Sequence, residues 1–444
     1  MIEKALFVIS LTPVCAAILA VQKNEIRTFD LLDGLWTFVK EPTNSDDVGL
    51  KQLWYTMNLS KFLNATMMPV PSAYNDLSAS AELRDHVGWV WYQTTIIVRK
   101  RDIGERIVLR FGSVNYYAKV ITVAVNNTLS WFTIPQGDFI YMADSTRNVK
   151  GRNVELIVPL EQLRLDIYRK TFGFRTVGWT NRQLLINDKP FYCLGFGMHE
   201  DFEVHGRGFN AVVMTKDLNL LEWTGGNCYR TTHYPYAEER MAENDRRGIA
   251  VIAETPAVGL KGFSKENNLL HMEMLKELIG RDGSHPSVIM WSLANEPRTD
   301  KKESRMYFKN LVHYAHDLDK TRPVTVVYGP SNFENDQTAD LLDIICVNRY
   351  YGWYINMGEL DWINQSVYWD ISQWSEKYKR PVLVTEYGAE SLPGLNQEPS
   401  VSFSEQYQNE LIIRTHQAFD ALRNSHILAG EMIWNFADFM TGMS

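Results

Sequence analysis

The sequence predicts a multidomain chain: an N-terminal β-sandwich of jelly-roll-like type, followed by a (β/α)8 TIM barrel. Three observations predict it. Residues 23–150 carry short β-rich runs separated by turn signals. From residue 181 onward, apolar runs of strand length alternate with helical stretches. The second set of runs also ends, nearly every time, in a polar or aromatic group, as the strands of a catalytic barrel do.

The elements follow in chain order. Residues 1–22 read as a secretory signal peptide. Lys4 supplies a small positive start, residues 5–19 form an apolar run broken only by Ser10, Thr12 and Pro13, and Ala16, Ala17 and Ala20 are the small residues a signal peptidase needs. No other apolar run is long enough to span a bilayer, so no stable membrane insertion is expected once the leader is removed. In 23–150 the runs are GLWTFVK, VGWVWYQTTIIVRK, RIVLRFGS and YYAKVITVAV. Residues 90–98 interleave aromatic and β-branched side chains with polar ones, the pattern of a half-buried antiparallel strand. MPVPSAYND reads as a Pro-rich connection. Residues 151–180 are too short for a separate domain, although ELIVPL and FGFRTVGW are strand-like.

Eight runs build the barrel over residues 181–444: FYCLGF, CYRTTHY, IAVIAE, VIMWSLA, VTVVYG, IICVNRY, VLVTEYG and EMIWNFA. KENNLLHMEMLKELIGRD and SRMYFKNLVHYAHDLDK lie between them as amphipathic helices. The run ends carry His199, Glu200 and Asp201, then His233, Glu254, Asn295 and Glu296, then Tyr350, Glu386, Trp434 and Asp438.

Composition excludes several functions. The formal net charge is −8 with no useful Lys/Arg run, which argues against nucleic acid as a partner. There is no CxxC, HExxH or GxGxxG pattern, so neither a metal nor another cofactor is implied. Cys15 leaves with the leader. Cys193, Cys228 and Cys346 sit in apolar runs and are expected as small core side chains, not as disulfides. Asn58, Asn64, Asn126 and Asn364 open Asn-x-Ser/Thr sequons, which fit a secreted glycoprotein. Thirteen Trp and 21 Tyr would suit a sugar-binding surface, since aromatic faces stack on the C–H faces of pyranose rings, though core packing uses the same residues.

Two carboxylates on opposite strands of a small barrel suit glycosidic bond cleavage with retention. One acid protonates the leaving oxygen, and a carboxylate about 5 Å away attacks the anomeric carbon. Glu296 fits the acid/base and Glu386 the nucleophile. Asn295 is placed for the sugar 2-hydroxyl, and Tyr350 for holding Glu386 charged.

These residues resemble glycoside hydrolase family 2, and most of all its branch that hydrolyses β-glucuronides. HPSVIMWSLANEP is similar to the family's acid/base signature and PVLVTEYGAES to its nucleophile segment. HEDF, RTTHYPYAEE, VNRYYGWY and GEMIWNFADF resemble the same branch, and VPSAYND, GWVWYQ and FGSVNYYAKV its N-terminal sugar-binding sandwich. The resemblance implies substrate contacts at Asp201, His233, Asn295, Tyr350, Tyr354 and Trp434. It implies a β-glucuronide carbohydrate substrate, including glycosaminoglycan non-reducing ends, and a lysosomal or extracellular protein that forms homo-oligomers. It also implies departures. The sandwich skips a segment near residues 120–125, and 151–180 is a remnant of the family's immunoglobulin-like β-domain. Gly283-Ser284 replaces Lys-Asn in the acid/base signature. The barrel is expected to lack its last helix and the Asn-x-Lys segment that grips the glucuronate carboxylate. A truncated or splice-variant form is expected on this reading. The alternatives are a weak or inactive isoform that associates with full-length enzyme, or another family 2 β-glycosidase.

Overall fold

The computed structural model describes residues 23–24, 27–43, 47–97, 99, 173–329 and 331–439, with short stretches at 108–111, 114, 118–123, 129–134 and 143–144. The expected leader, the sequon at Asn126 and the segment ELIVPL lie outside the described residues.

The N-terminal region is antiparallel sheet. Gly34–Lys40 is the centre strand between Thr66–Val70 and Val90–Gln93. Ala118–Val123 pairs with Leu129–Ile134 in a separate ribbon. The Pro-rich connection is partly a correction: Met68, Pro69 and Val70 belong to a strand that is at the sheet edge among the described residues, with Pro69 opposite Leu35. Proline lacks the N–H that a central strand needs, and an edge strand can spare it.

Eight parallel strands close a barrel: β1 Cys193–Met198, β2 Cys228–Thr231, β3 Ala250–Glu254, β4 Val288–Asn295, β5 Val324–Tyr328, β6 Ile345–Asn348, β7 Val382–Tyr387 and β8 Leu428–Ile433. Closure is direct, because β8 pairs with β1 from Cys193↔Gly430 to Phe196↔Ile433. On the other side of β1, toward β2, glycine is needed: a Cβ on Gly195 would lie 1.7 Å from the Cys228 carbonyl oxygen. The helices are α1 Ala211–Trp223, α2 Glu238–Arg247, α3 Lys265–Asp282, α4 Lys302–Leu318, α5 Ile363–Tyr378 and α6 Glu405–Asn424. Asn210, Ser264 and Ser404 cap α1, α3 and α6 by accepting from first-turn N–H groups. A 3-10 turn, Ala339–Leu341, lies between β5 and β6.

Period-two patterning divides the core. On β3, Ala250 and Ile252 pack inward with Leu383 and Met432, while Val251 and Ala253 face the helices. A three-stranded sheet, Val177–Trp179, Leu184–Ile186 and Lys189–Phe191, is packed against the inner cluster through Val177, Trp179, Leu184, Ile186 and Phe191. The expected first strand, FYCLGF, is thus divided between this sheet and β1. Arg175 ties the sheet to β4 by donating to the Pro286 and Val288 carbonyls.

The cysteine expectation is overturned: Cys193 and Cys228 form a disulfide with Cα atoms 5.3 Å apart. They open adjacent strands, a proximity that register creates and that a separation of 35 residues hides. Cys346 is free and buried, as expected.

Candidate active site

The carboxyl ends of the strands converge on one buried cation. Arg230, on β2, is fully buried. A buried guanidinium is tolerated only with charge partners. Nη1 donates to both oxygens of Glu254 on β3, at 2.9 and 2.8 Å, and Nη2 pairs with Glu386 on β7. Tyr350, just past β6, donates its hydroxyl to the other Glu386 oxygen at 2.6 Å. Glu386 is therefore clamped from two sides.

Electrostatics divide the two inner carboxylates. Burial opposes ionisation of Glu254, but Arg230, His233 and Ser292 overcome it and hold the carboxyl down to about 2. Burial pushes the Glu386 carboxyl above its usual range, while Arg230, His233 and Tyr350 pull against that rise and Glu296 adds to it. Tyr350 itself is driven far up, by burial and then by the Glu386 charge, so it remains a hydroxyl donor. His233 turns Nδ1 to Glu254 at 2.8 Å, which requires a proton on Nδ1 and leaves Nε2 4.0 Å from Glu386.

Glu296 comes from the opposite wall. It follows β4 with φ 49°, and its N–H donates to the Val327 carbonyl at 2.8 Å. Asn348, the last residue of β6, donates to Glu296 Oε1 at 2.8 Å and to Asn295 Oδ1 at 3.2 Å, while Thr385 donates to the Asn348 oxygen. Gly329 leaves room for this carboxylate, since a Cβ there would lie 2.4 Å from the Glu296 carboxyl carbon. Asn295 Oδ1 also faces Arg230 at 3.5 Å. With that oxygen engaged, its amide N–H2 is the end that can meet a ligand. A continuous polar chain thus runs from Glu296 through Asn348, Asn295 and Arg230 to Glu386. Such a pair, one half-buried and one clamped by a cation, can combine proton transfer with nucleophilic attack across one bond.

Trp434 lies just past β8, with its ring parallel to that of His233 at 5.4 Å. The strand expected over EMIWNFA ends at Ile433, so Trp434 sits on the loop. Tyr354 packs against Tyr350 at 4.8 Å between ring centroids and is otherwise exposed. Asp201 opens a short ribbon, Asp201–Phe202 with Gly206–Arg207, that meets the N-terminal region at Asp76. Asp201 Oδ1 is buried with no hydrogen-bond partner among the described residues.

Comparison with known proteins decides the family. The sequence model described as glycosyl hydrolases family 2, TIM barrel domain, matches residues 177–444. The chain belongs to glycosyl hydrolase family 2. Family 2 relatives include the β-glucuronidases of Sus scrofa and Canis lupus familiaris. The first is 33% identical over 568 residues, covering 95% of this chain and 87% of the relative. The second is 34% identical over 558, covering 93% and 85%. Both alignments are longer than this 444-residue chain, so internal segments of those family 2 relatives have no counterpart here. Among solved structures, an uncultured Clostridium β-glucuronidase aligns with TM-score 0.81 and 30% identity over 96% of this chain and 94% of its own. The Ruminococcus gnavus β-glucuronidase in complex with D-glucuronic acid aligns with TM-score 0.79 and 27% identity over the same shares.

Within this family 2 barrel, the structure joins Glu296, Glu386, Tyr350, Asn295, His233, Trp434 and Tyr354 in one linked cluster. Among the described residues no hydrogen bond or ion pair links Asp201 to the carboxylate pair. Sequence reasoning missed Arg230 and Asn348 and gave Glu254 no role. A signal for Arg230 was present: a charge inside the apolar run CYRTTHY demands a buried carboxylate. Of the sequons, Asn58 and Asn64 are exposed, and Asn364 is half-buried in the first turn of α5. Among the described residues no helix is long and apolar enough to cross a membrane.

Proposed function

We propose that the chain is a retaining exo-β-glycosidase that hydrolyses β-D-glucuronides by double displacement. The observation that carries this is Glu386, held between Arg230 and Tyr350 and opposite Glu296, in a family 2 chain whose relatives include the β-glucuronidases of Sus scrofa and Canis lupus familiaris. Glu386 attacks the anomeric carbon while Glu296 gives its proton to the leaving oxygen. Water then enters, Glu296 takes its proton, and the hydroxide displaces Glu386 with net retention. Arg230 and the Tyr350 hydroxyl stabilise Glu386 as a carboxylate before attack and as the leaving group afterwards. The Asn295 amide meets the 2-hydroxyl, where a hydrogen bond strengthens in the transition state. His233, Trp434, Tyr354 and Asp201 complete the sugar subsite. The signal-like leader and four sequons support a secretory route, ending in the lysosome or outside the cell.

Turnover of a fluorogenic β-glucuronide, assayed beside the matching β-galactoside and β-glucoside, tests the reading. The glucuronide alone should be cleaved rapidly, and Glu386→Gln should remove activity by about four orders of magnitude or more. Soluble, monodisperse protein that cleaves none of the three would overturn it.

A further inference from the structure

We infer that Arg349, paired with Asp370, is a positioning residue for the acid of this site: it locks the ends of β5 and β6 around Glu296 and so sets how that carboxyl is aimed at the bond facing Glu386. The inference rests on the double-displacement reading above and adds a residue to it.

Arg349 stands between the two residues that touch the carboxylate pair, Asn348 and Tyr350. It is 6% exposed, and its Nε pairs with Asp370 of α5, itself 4% exposed. The remaining donors face backbone oxygens. Nη1 meets the carbonyls of Asn348 at 2.7 Å, Gly329 at 2.8 Å and Tyr328 at 3.2 Å, and Nη2 meets that of Ser331 at 3.3 Å. The Trp374 ring lies 5.6 Å from the guanidinium and stacks in turn on Tyr328 at 5.1 Å. The Arg349 N–H donates to the Glu386 carbonyl at 2.8 Å. One residue therefore joins β5, β6 and β7 at the ends that carry the chemistry.

The oxygens it holds belong to the support of Glu296. The Glu296 N–H donates to the Val327 carbonyl, one residue before Tyr328. Gly329 leaves room for the Glu296 carboxyl, and Asn348 donates to it. The Ser331 hydroxyl meets that of Thr299 at 2.9 Å, on the loop that leaves Glu296. Glu296 itself has φ 49°, a left-handed conformation that a non-glycine residue keeps only where its surroundings hold it. A helix would ordinarily brace the end of β5, but among the described residues the 3-10 turn Ala339–Leu341 stands between β5 and β6. The Arg349 fork takes that place. A buried ion pair is a poor device for stability, because desolvation offsets much of the attraction. A planar fork with five donors does fix directions, and retention needs two carboxylates about 5 Å apart with one aimed at the leaving oxygen.

Leaving-group dependence of the full chain tests the role. Phenyl β-D-glucuronide needs a proton on its leaving oxygen, whereas 2,4-dinitrophenyl β-D-glucuronide releases a stable phenolate without one. Arg349→Met removes the fork and keeps an unbranched side chain. It should lower kcat/KM for the phenyl substrate about thirtyfold or more, and for the dinitrophenyl substrate less than about threefold. For the dinitrophenyl substrate kcat and KM should fall together, because Glu296 also deprotonates the water of the second step and the glycosyl-enzyme then accumulates. Glu296→Gln should shift the ratio of the two substrates further in the same direction. A purely structural role would lower both substrates by one factor. If Arg349→Met gives no soluble protein, Arg349→Lys keeps a cation for Asp370 but cannot span the carbonyls, and the ratio should shift about fivefold. An unchanged ratio in the soluble variant overturns the inference, while wild-type turnover of both substrates leaves the glucuronidase reading standing. Wild-type protein that cleaves neither overturns both.

Discussion

Replacing Glu254 by Gln keeps the shape of the side chain and removes only its charge. In the native site this carboxylate accepts from Arg230 twice, from His233 at 2.8 Å and from Ser292 at 2.7 Å. A glutamine offers one acceptor and turns an N–H2 toward donors. Two routes give the size of the effect. A buried carboxyl moved from an ordinary 4.5 to about 2 is worth about 3 kcal/mol of preference for the charged form. Removing one partner of a buried ion pair costs about 3–5 kcal/mol. The lower end applies here because Arg230 keeps Glu386. For a domain of this size the melting temperature should fall by roughly 6–12 °C. The pH dependence has a definite sign. Glu254 titrates below its unfolded value, so its contribution is present above about pH 4.5 and is lost as pH falls toward about 2. Glu386 is displaced the other way, so its own contribution is largest in acid and fades as pH rises. Thermal denaturation of both proteins from about pH 7 down to about pH 3 should show the curves converging in acid. A gap under about 2 °C at neutral pH, or one that stays constant in acid, would refute the idea that Glu254 anchors the site through its charge.

Other perturbations separate the remaining parts. Tyr350→Phe deletes a charge-assisted hydrogen bond and should lower kcat about ten- to a hundredfold. Because that bond favours ionised Glu386, the acid limb of kcat/KM should move to higher pH, and an unmoved limb would remove Tyr350 from this role. Gly329→Ala would thrust a methyl group into Glu296, so kcat should fall about a hundredfold while the melting temperature moves little. Wild-type kcat in the purified variant contradicts that packing. Replacing Cys193 and Cys228 by Ser should cost up to about 4 kcal/mol in chemical denaturation, from the loop entropy of a 35-residue separation, with kcat retained because the bridge lies at the opening ends of β1 and β2. An unchanged denaturation midpoint would show that the bridge does not contribute.

Much of this protein follows from its sequence alone. Eight apolar runs with polar ends give the barrel, because a parallel strand buried on both faces has little freedom in composition. Glu296 and Glu386 are readable as a candidate pair because each ends such a run and glycosidic cleavage with retention requires two carboxylates. Tertiary structure alone decided the rest. Arg230, Glu254 and Asn348 matter through partners 24 to 156 residues away, and only strand register brings those partners within hydrogen-bond reach. The same register joined Cys193 to Cys228, and the approach of Gly329 to Glu296 depended on how β4 and β5 sit side by side. Local patterning records which residues face inward, since burial acts on each position separately. Which inward groups meet depends on barrel closure, a property of all eight strands together.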